Sequence, residues 1–249
     1  MTSQHGINVR LARIIGAGGP SLVAALDDGY FSGPTGRLKN PTAYVAELMH
    51  LGIDRFLGFS GFIERYVPST ANVVRIVNAT VAGVTCEAGL RLPGTPLREI
   101  SAMGADGVLV HVSLCVPEEM STLATLAEIT SQAHELGLPV IAAMYDRSTP
   151  TRADIRQKHL VQGARIAVEL GADSIKLSYT TDSDGFGELV ESASPVPVFV
   201  AGGALVSDDH TLSIAAGAAK AGAAGYFLGR SLSGAENLPE LIERLKDHK

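Results

Sequence analysis

The chain has 249 residues, of which 46% are hydrophobic and 18% charged, and its formal net charge at pH 7 is -6. An acidic balance without a basic stretch argues against non-specific nucleic-acid binding, and no apolar run approaches the roughly 20 residues that a membrane-spanning helix needs. Residues 1–6 are polar and lack the apolar core of a signal peptide. We therefore expect a cytoplasmic protein without a nucleic-acid or membrane partner.

The two cysteines, Cys86 and Cys115, lie in apolar, strand-like surroundings. Small buried hydrophobes are the simplest interpretation of such residues. The sequence has no Cys-x-x-Cys pair and no Cys/His cluster of the kind that binds structural zinc. We expect neither a metal nor a cofactor.

A short pattern recurs along the chain: a helical segment ends at a glycine, and an apolar run follows within a few residues. The glycines are Gly52, Gly104, Gly137, Gly171 and Gly222. A glycine that ends a helix before an apolar run is typical of a left-handed cap leading into a strand.

Eight strands are predicted in chain order, at about residues 21–27, 55–60, 73–80, 107–114, 139–145, 174–179, 197–201 and 225–229. Helical apolar spacing marks residues 118–136 and 153–170, the latter with Ile155, Leu160, Ala164, Ala167 and Val168 on one side. The link between the second and third strands leaves room for only a short helix. Eight β/α units in this length predict an α/β fold of the (β/α)8 TIM-barrel type, with residues 1–249 as one domain.

TIM-barrel active sites lie at the carboxyl ends of the strands. Lys176 is a lone lysine in the otherwise apolar sixth strand. A buried amine is costly unless it is paired or neutral, and a desolvated lysine becomes a nucleophile towards carbonyls. Lys176 is therefore the leading candidate for a catalytic residue.

Further candidates lie at the ends of other strands. Asp27 and Asp28 end the first strand and are natural partners for a buried amine, although a solvated turn with Asp28 as a cap is the alternative. Tyr145 ends the fifth strand and could transfer a proton, or else be a rim aromatic. His111 lies within the fourth strand, where a hydrogen-bonded core residue is the more common case.

Glycines follow the last two strands together with an arginine. Gly202 and Gly203 follow the seventh strand, and Gly229 and Arg230 follow the eighth. Glycines let backbone N–H groups approach an anion, and TIM barrels frequently bind phosphate at these two loops. Packing glycines and a surface arginine are the alternative, but both loops carry the pattern together.

Two other sites are disfavoured. Residues 15–19, Ile-Gly-Ala-Gly-Gly, look like a dinucleotide-binding turn, but a strand rather than a helix should follow, and no acidic residue lies between Asp28 and Glu47. Metal-dependent aldol chemistry would need several His, Asp or Glu ligands at strand ends, which His111 alone does not supply.

In this order the motifs resemble those of the archaeal-type class I (Schiff-base) fructose-bisphosphate aldolases, over about residues 22–232. The matching segments are Leu26-Asp27-Asp28-Gly29 with Gly33-Pro34 and residues 36–41, Val110-His111-Val112, Tyr145 with Arg147, Lys176 with Tyr179-Thr180, Ala201-Gly202-Gly203, and Gly229-Arg230. The resemblance implies that Lys176 forms an imine with a ketose phosphate, and that Asp27 orients or deprotonates the hydroxyl at the scissile bond. It further implies proton transfer by Tyr145 and phosphate binding by the glycines and Arg230, with Arg147, His111 and Asp28 contacting substrate.

The sequence departs from the family pattern at Ala143, Asp146, Asp28 and Ser113, where the pattern has tryptophan, proline, histidine and asparagine. These departures leave the lysine chemistry intact, but they indicate that the substrate could be a compound other than fructose 1,6-bisphosphate. Relatives in the family include an aminosugar-type heptulosonate synthase and a thiolase that acts on a phosphorylated dione. A basic cluster near Arg37, Lys39 or Arg65 would favour a bisphosphate.

Two other functions stay open beside a carbon–carbon lyase. One is a phosphosugar isomerase or synthase that uses Lys176 as a general acid, and the other is a catalytically silent barrel that binds a phosphometabolite. In each case the expected partner is a small sugar phosphate. Alanine-rich helical segments such as residues 212–221 also suggest a homo-oligomer.

Overall fold

The computed structural model describes residues 2–83, 89–149, 152–180 and 182–247. The strands are β1 (Ser21–Ala25), β2 (Arg55–Gly58), β3 (Val74–Asn78), β4 (Thr80–Val81), β5 (Leu92–Pro93), β6 (Gly107–Leu114), β7 (Val140–Asp146), β8 (Ser174–Ser178), β9 (Val198–Ala201) and β10 (Gly225–Leu228). The helices are α1 (Thr2–Ile15), α2 (Asp28–Ser32), a 3-10 turn (Gly36–Lys39), α3 (Pro41–His50), α4 (Ser60–Tyr66), α5 (Leu97–Ala102), α6 (Glu119–Glu135), α7 (Ala153–Glu169), α8 (Ser183–Ala193), α9 (Asp208–Lys220), α10 (Arg230–Ser233) and α11 (Leu238–Asp247).

Eight parallel strands close into a barrel in the order β1-β10-β9-β8-β7-β6-β3-β2. The predicted (β/α)8 TIM barrel is confirmed, and each predicted strand is present with its ends shifted by at most two residues. β4 and β5 form a separate antiparallel pair within the long connection from β3 to α5.

The glycine pattern is also confirmed. Gly52, Gly104, Gly137, Gly171 and Gly222 all have positive φ angles, between 67° and 87°. Such a backbone conformation ends a helix without the steric cost that a side chain would add. These glycines set the tight turns that lead into β2, β6, β7, β8 and β10.

Two apolar layers hold the barrel together. The larger layer lies between the strands and the surrounding helices, and a smaller cluster that includes Val23, Leu109, Ile141 and Phe227 fills the barrel interior. The predicted apolar face of α7 is mostly correct, since Leu160, Ala164 and Ala167 are buried, but Ile155 is 38% exposed. Ile155 lies in the first turn of α7, and the buried residues of this helix begin only at Leu160.

α1 packs against the barrel by side-chain to backbone contacts. Arg13 donates to the carbonyl of Val73 at 3.0 Å and pairs with Asp106 at 2.8 Å, while Arg55 donates to the carbonyl of Ile14 at 3.1 Å. Val73 and Asp106 precede β3 and β6, so α1 covers the amino-terminal end of the barrel and leaves the carboxyl end open.

The structure bears differently on three predictions: the absence of a membrane span, the surroundings of Cys86 and self-association. Within the part of the chain that is described, no helix is both long enough and apolar enough to cross a bilayer. Cys86 lies outside the described residues. In α9, Leu212, Ala215 and Ala218 are buried in the barrel's own core, and the homo-oligomer stays a prediction.

Candidate active site

A cavity of about 280 Å³ opens at the carboxyl end of the barrel. All ten residues singled out from the sequence line it: Asp27, Asp28, His111, Tyr145, Arg147, Lys176, Gly202, Gly203, Gly229 and Arg230. The barrel brings these residues together because parallel strands end at the same rim. Their individual roles stay predictions.

Lys176 lies in the middle of β8, in register with Ala143 of β7 and Phe199 of β9. Its side chain is directed into the barrel, where it is 6% exposed and its Nζ lies 5.3 Å from the centroid of the Phe227 ring. The amine therefore lies against an aromatic face and is largely shielded from water.

Asp27 follows β1 and is 8% exposed. Burial raises the pKa of its carboxyl group above the usual value, and the ammonium of Lys176 and a hydrogen bond from Asn78 only partly offset that effect. Asn78 Nδ2 donates to Asp27 Oδ2 at 3.2 Å. A carboxylate with a raised pKa is a better proton acceptor than a solvated one.

Three residues from β6 and the end of β7 form a stack beside the cavity. The rings of His111 and Tyr145 lie nearly parallel, with centroids 5.5 Å apart, and the guanidinium of Arg147 lies 4.9 Å from the centroid of the Tyr145 ring. Burial lowers the pKa of His111 well below the usual value, and the positive charges of Lys176, Arg91 and Arg147 lower it further. His111 is therefore neutral at physiological pH, and it both belongs to the barrel wall and lines the cavity.

The two glycine loops lie side by side at the cavity mouth, because β9 and β10 are neighbouring strands. Gly202 N–H donates to the carbonyl of Phe227, which joins the end of β9 to β10. Gly203 has φ +67°, and a Cβ there would meet no atom within 4 Å, so this backbone is open to the cavity. Arg230 Nε lies 3.7 Å from Asp28 Oδ1, and both side chains line the cavity.

Four lining or supporting residues were not predicted from the sequence. Asn78 ends β3, and a polar residue at the carboxyl end of a barrel strand was a usable signal. Arg91, Phe31 and Ser32 line the cavity from connecting segments, where no periodic pattern predicts their direction. Arg91 is 6% exposed, and its guanidinium lies 5.8 Å from the centroid of the Phe31 ring.

Of the departures from the family pattern, only Asp28 lines the cavity. Ala143 is fully buried in the barrel interior, and Asp146 turns away to accept hydrogen bonds from Ser148 N–H and Oγ. The described residues that line this cavity do not include Arg37, Lys39 or Arg65, the positions where a basic cluster would have favoured a bisphosphate. Arg37 instead donates to the carbonyls of Ser233 and Ala235.

Behind the cavity wall lies a group of possible metal ligands that the sequence did not reveal. Cys115 Sγ lies 3.1 Å from His159 Nδ1, which in turn lies 3.0 Å from Asp146 Oδ2. Among the described residues, these three form the one group whose ligand atoms are close enough to share an ion. Cys115 is therefore not the buried hydrophobe expected from its sequence context. The Asp146 carboxylate already pairs with Arg156, whose Nε lies 4.0 Å away, and it accepts a hydrogen bond from Ser148 Oγ.

Comparison with known proteins places the chain among aldolases. A family model described as DeoC/LacD family aldolase matches residues 22–233. A 2-amino-4,5-dihydroxy-6-oxo-7-(phosphonooxy)heptanoate synthase of Streptomyces griseus is 31% identical over 231 residues, which cover 90% of this chain and 83% of that protein.

Two further proteins with related names are also similar to this chain. A 2-amino-3,7-dideoxy-D-threo-hept-6-ulosonate synthase of Halobacterium salinarum is 32% identical over 213 residues, or 85% of this chain and 79% of that protein. The crystal structure of an archaeal fructose 1,6-bisphosphate aldolase superposes with a TM-score of 0.87 at 25% identity, covering 97% of this chain and 98% of that one.

Proposed function

Because the chain belongs to the DeoC/LacD family of aldolases, we propose that it makes or breaks a carbon–carbon bond through an imine on Lys176. The observation that carries the proposal is the position of Lys176: a buried amine on β8 that reaches a cavity also lined by an acid, a phenol and two glycine loops. An amine so placed can attack a ketone bound in that cavity.

The proposed substrate is a phosphorylated ketose, with a dihydroxyacetone-phosphate-type donor and an aldehyde as its two halves. The name of the Streptomyces griseus relative describes a product with a ketone next to a phosphonooxy-bearing carbon. In this chain Gly202, Gly203, Gly229 and Arg230 would hold the corresponding phosphate. That placement puts the neighbouring ketone within the cavity that Lys176 lines.

The proposed reaction starts when neutral Lys176 Nζ attacks the keto carbon. Loss of water gives an iminium ion, which withdraws electrons from the adjacent carbon–carbon bond. Asp27 takes the proton of the hydroxyl on the far side of that bond, the bond breaks, and the electron pair forms an enamine. Tyr145 then protonates the enamine carbon, and water releases the product from Lys176.

Arg147 and Arg230 supply the positive charge around these steps. Arg230 would bind the phosphate directly, since guanidinium groups form charge-assisted hydrogen bonds with phosphate. Arg147 lies against the Tyr145 ring and lines the same cavity, where it would contact the substrate. A cytoplasmic setting and self-association remain predictions of the sequence.

Borohydride trapping tests the proposal. With dihydroxyacetone phosphate, reduction should add the donor's mass to Lys176, and Lys176→Met should lose the adduct and lower turnover by at least about a thousandfold. Lys158→Met, which removes an exposed lysine from α7, should keep both properties. Turnover of a ketose phosphate without any adduct would instead indicate an isomerase or synthase in which Lys176 is a general acid.

A further inference from the structure

The side-chain amide of Asn78 lies between two groups of the candidate site. Asn78 ends β3, is 2% exposed, and places its Nδ2 3.2 Å from Asp27 Oδ2 and 3.1 Å from His111 Nδ1. An amide nitrogen carries two hydrogens. Both are used if Asp27 and His111 each accept one.

The orientation of this amide follows from backbone donors. The N–H of Thr80 can only donate, and it meets the Asn78 side chain at 3.2 Å, so the atom there must be the oxygen Oδ1. Thr80 Oγ1 accepts from the N–H of His111 at 3.0 Å and gives its own proton to Asn78 Oδ1 at 3.2 Å. The NH2 group therefore faces Asp27 and His111.

This orientation determines the protonation of the His111 ring. Nδ1 meets an amide hydrogen and must present its lone pair, so the single proton of the neutral ring is on Nε2. The charges of Lys176, Arg91 and Arg147, together with burial, disfavour a second proton. The ring is held in place by Tyr145 on its face and by the edge-on contact with Phe31.

We propose that Asn78 is a positioning residue: it fixes His111 as the Nε2–H tautomer, so that this histidine donates a hydrogen bond to a substrate oxygen instead of accepting a proton. The same amide donates a hydrogen bond to Asp27 Oδ2, so that Oδ1 is the oxygen that takes the substrate proton. The substrate oxygen is the one at the scissile bond, because a single amide bridges His111 to the acid assigned to that hydroxyl. This reading of the substrate oxygen rests on the proposed function, whereas the tautomer does not.

In the direction of bond formation, the oxygen of the acceptor aldehyde gains negative charge as the enamine attacks it. A neutral N–H donor aimed at that oxygen stabilises the charge without itself reorganising. Asp27 then supplies the proton that completes the hydroxyl. His111 and Asp27 thus act on one oxygen, and Asn78 sets the distance between them.

The tautomer can be measured directly by 15N NMR on protein labelled with [15N]histidine. The His111 signals are assigned by their loss in His111→Asn, which keeps an acceptor near the Nδ1 position. In the wild type we expect the pattern of an Nε2–H ring, unchanged between pH 6 and 8. An Nδ1–H or doubly protonated ring would overturn the proposal, and this measurement needs no Asn78 variant to fold.

Asn78→Ala tests the positioning role. We expect the His111 ring to exchange between its two tautomers, because Nδ1 no longer accepts from an amide. The kcat should be about tenfold lower, with little change in KM. The acid limb of the kcat/KM profile should shift to higher pH, since Asp27 loses a hydrogen bond that lowers its pKa. Asn72→Ala, at an exposed site before β3, should change none of these.

An Asn78→Ala enzyme that is slower but keeps both the wild-type tautomer and the wild-type pH profile would overturn the positioning role. An Nε2–H ring in a wild-type protein that gives no borohydride adduct would overturn the proposed function and leave the tautomer assignment intact.

Discussion

At the scale of single residues, the candidate site is defined by buried polar groups. Asp27, His111 and Lys176 are each less than a tenth exposed. Burial makes Asp27 a better base and keeps His111 neutral. Because a different role is proposed for each group, a change at one of them should alter its own step of the reaction more than the others.

Tyr145→Phe should separate imine formation from proton transfer. The phenylalanine ring keeps the stacking on His111 and the contact with Arg147, but it has no proton to transfer. We expect kcat to fall by about 10²–10⁴-fold while borohydride still traps the donor on Lys176. Loss of the adduct in parallel with kcat would show that Tyr145 supports the imine itself.

His111 should make the folding stability sensitive to pH. Its folded pKa lies well below that of the unfolded chain, so below about pH 6.5 the unfolded state binds a proton that the folded state does not. Stability is fully present above that pH and falls as the pH falls, by up to about 1.4 kcal/mol per pH unit.

Urea unfolding of the wild type and His111→Asn at pH 7.5 and 5.5 measures this effect. The other titrating groups are shared by the two proteins, so their contributions largely cancel in the difference. The wild type should lose more stability than the variant between the two pH values. Equal losses would mean that the buried ring accepts a proton in the folded state.

At the scale of elements, replacing Gly225 or Gly187 with alanine should change the stability of the protein in opposite directions. In β10, a Cβ at Gly225 would lie 2.2 Å from the carbonyl oxygen of Ser21 on β1, and backbone atoms there cannot move without disturbing the barrel. In α8, a Cβ at Gly187 would meet nothing within 4 Å. The first position needs the absence of a side chain, and the second does not.

Chemical unfolding of the two variants tests this contrast. Gly225→Ala should destabilise the protein by about 1–3 kcal/mol, as overpacking does. Gly187→Ala should stabilise it by about 0.5–1 kcal/mol, because alanine loses less conformational freedom in a helix. Equal effects at the two sites would contradict the tight β1–β10 approach.

The barrel elements could be predicted because their signals are local. Buried parallel strands read as near-continuous apolar runs, and each glycine cap lies within a few residues of the strand that it precedes. α1 was not predicted, since it contacts the carbonyl of Val73 and the side chain of Asp106, far along the chain. The β4–β5 pair is two residues long on each side, too short for any periodicity.

In the candidate site, too, residues with a local signal could be predicted and residues placed by long-range contacts could not. Lys176 and Asp27 could be predicted because a charged residue in or directly after an apolar strand stands out. Arg91 lies in a long connection. The Cys115, Asp146 and His159 group joins the residue that follows β6, the last residue of β7 and a residue of α7. Only the closed barrel brings such residues into contact.

At the scale of the whole molecule, the charge of the cavity differs in sign from that of the chain. The chain has a formal net charge of -6. The cavity is lined by the cationic side chains of Arg91, Arg147, Lys176 and Arg230, and by two carboxylates, Asp27 and Asp28. A cleft lined by one dominant charge concentrates its field, so an anionic substrate is drawn to the barrel mouth although the rest of the surface repels it.

This local field predicts how the rate depends on salt. Raising NaCl from about 0.05 to 0.5 M shortens the screening length from more than 10 Å to less than 8 Å, so kcat/KM for a phosphorylated ketose should fall while kcat stays nearly constant. Arg230→Gln should flatten that dependence. Arg244→Gln removes the same charge from α11, outside the cavity, and should keep the wild-type slope. Identical slopes in both variants would show that the substrate responds to net charge alone, and that the barrel mouth does not focus the field.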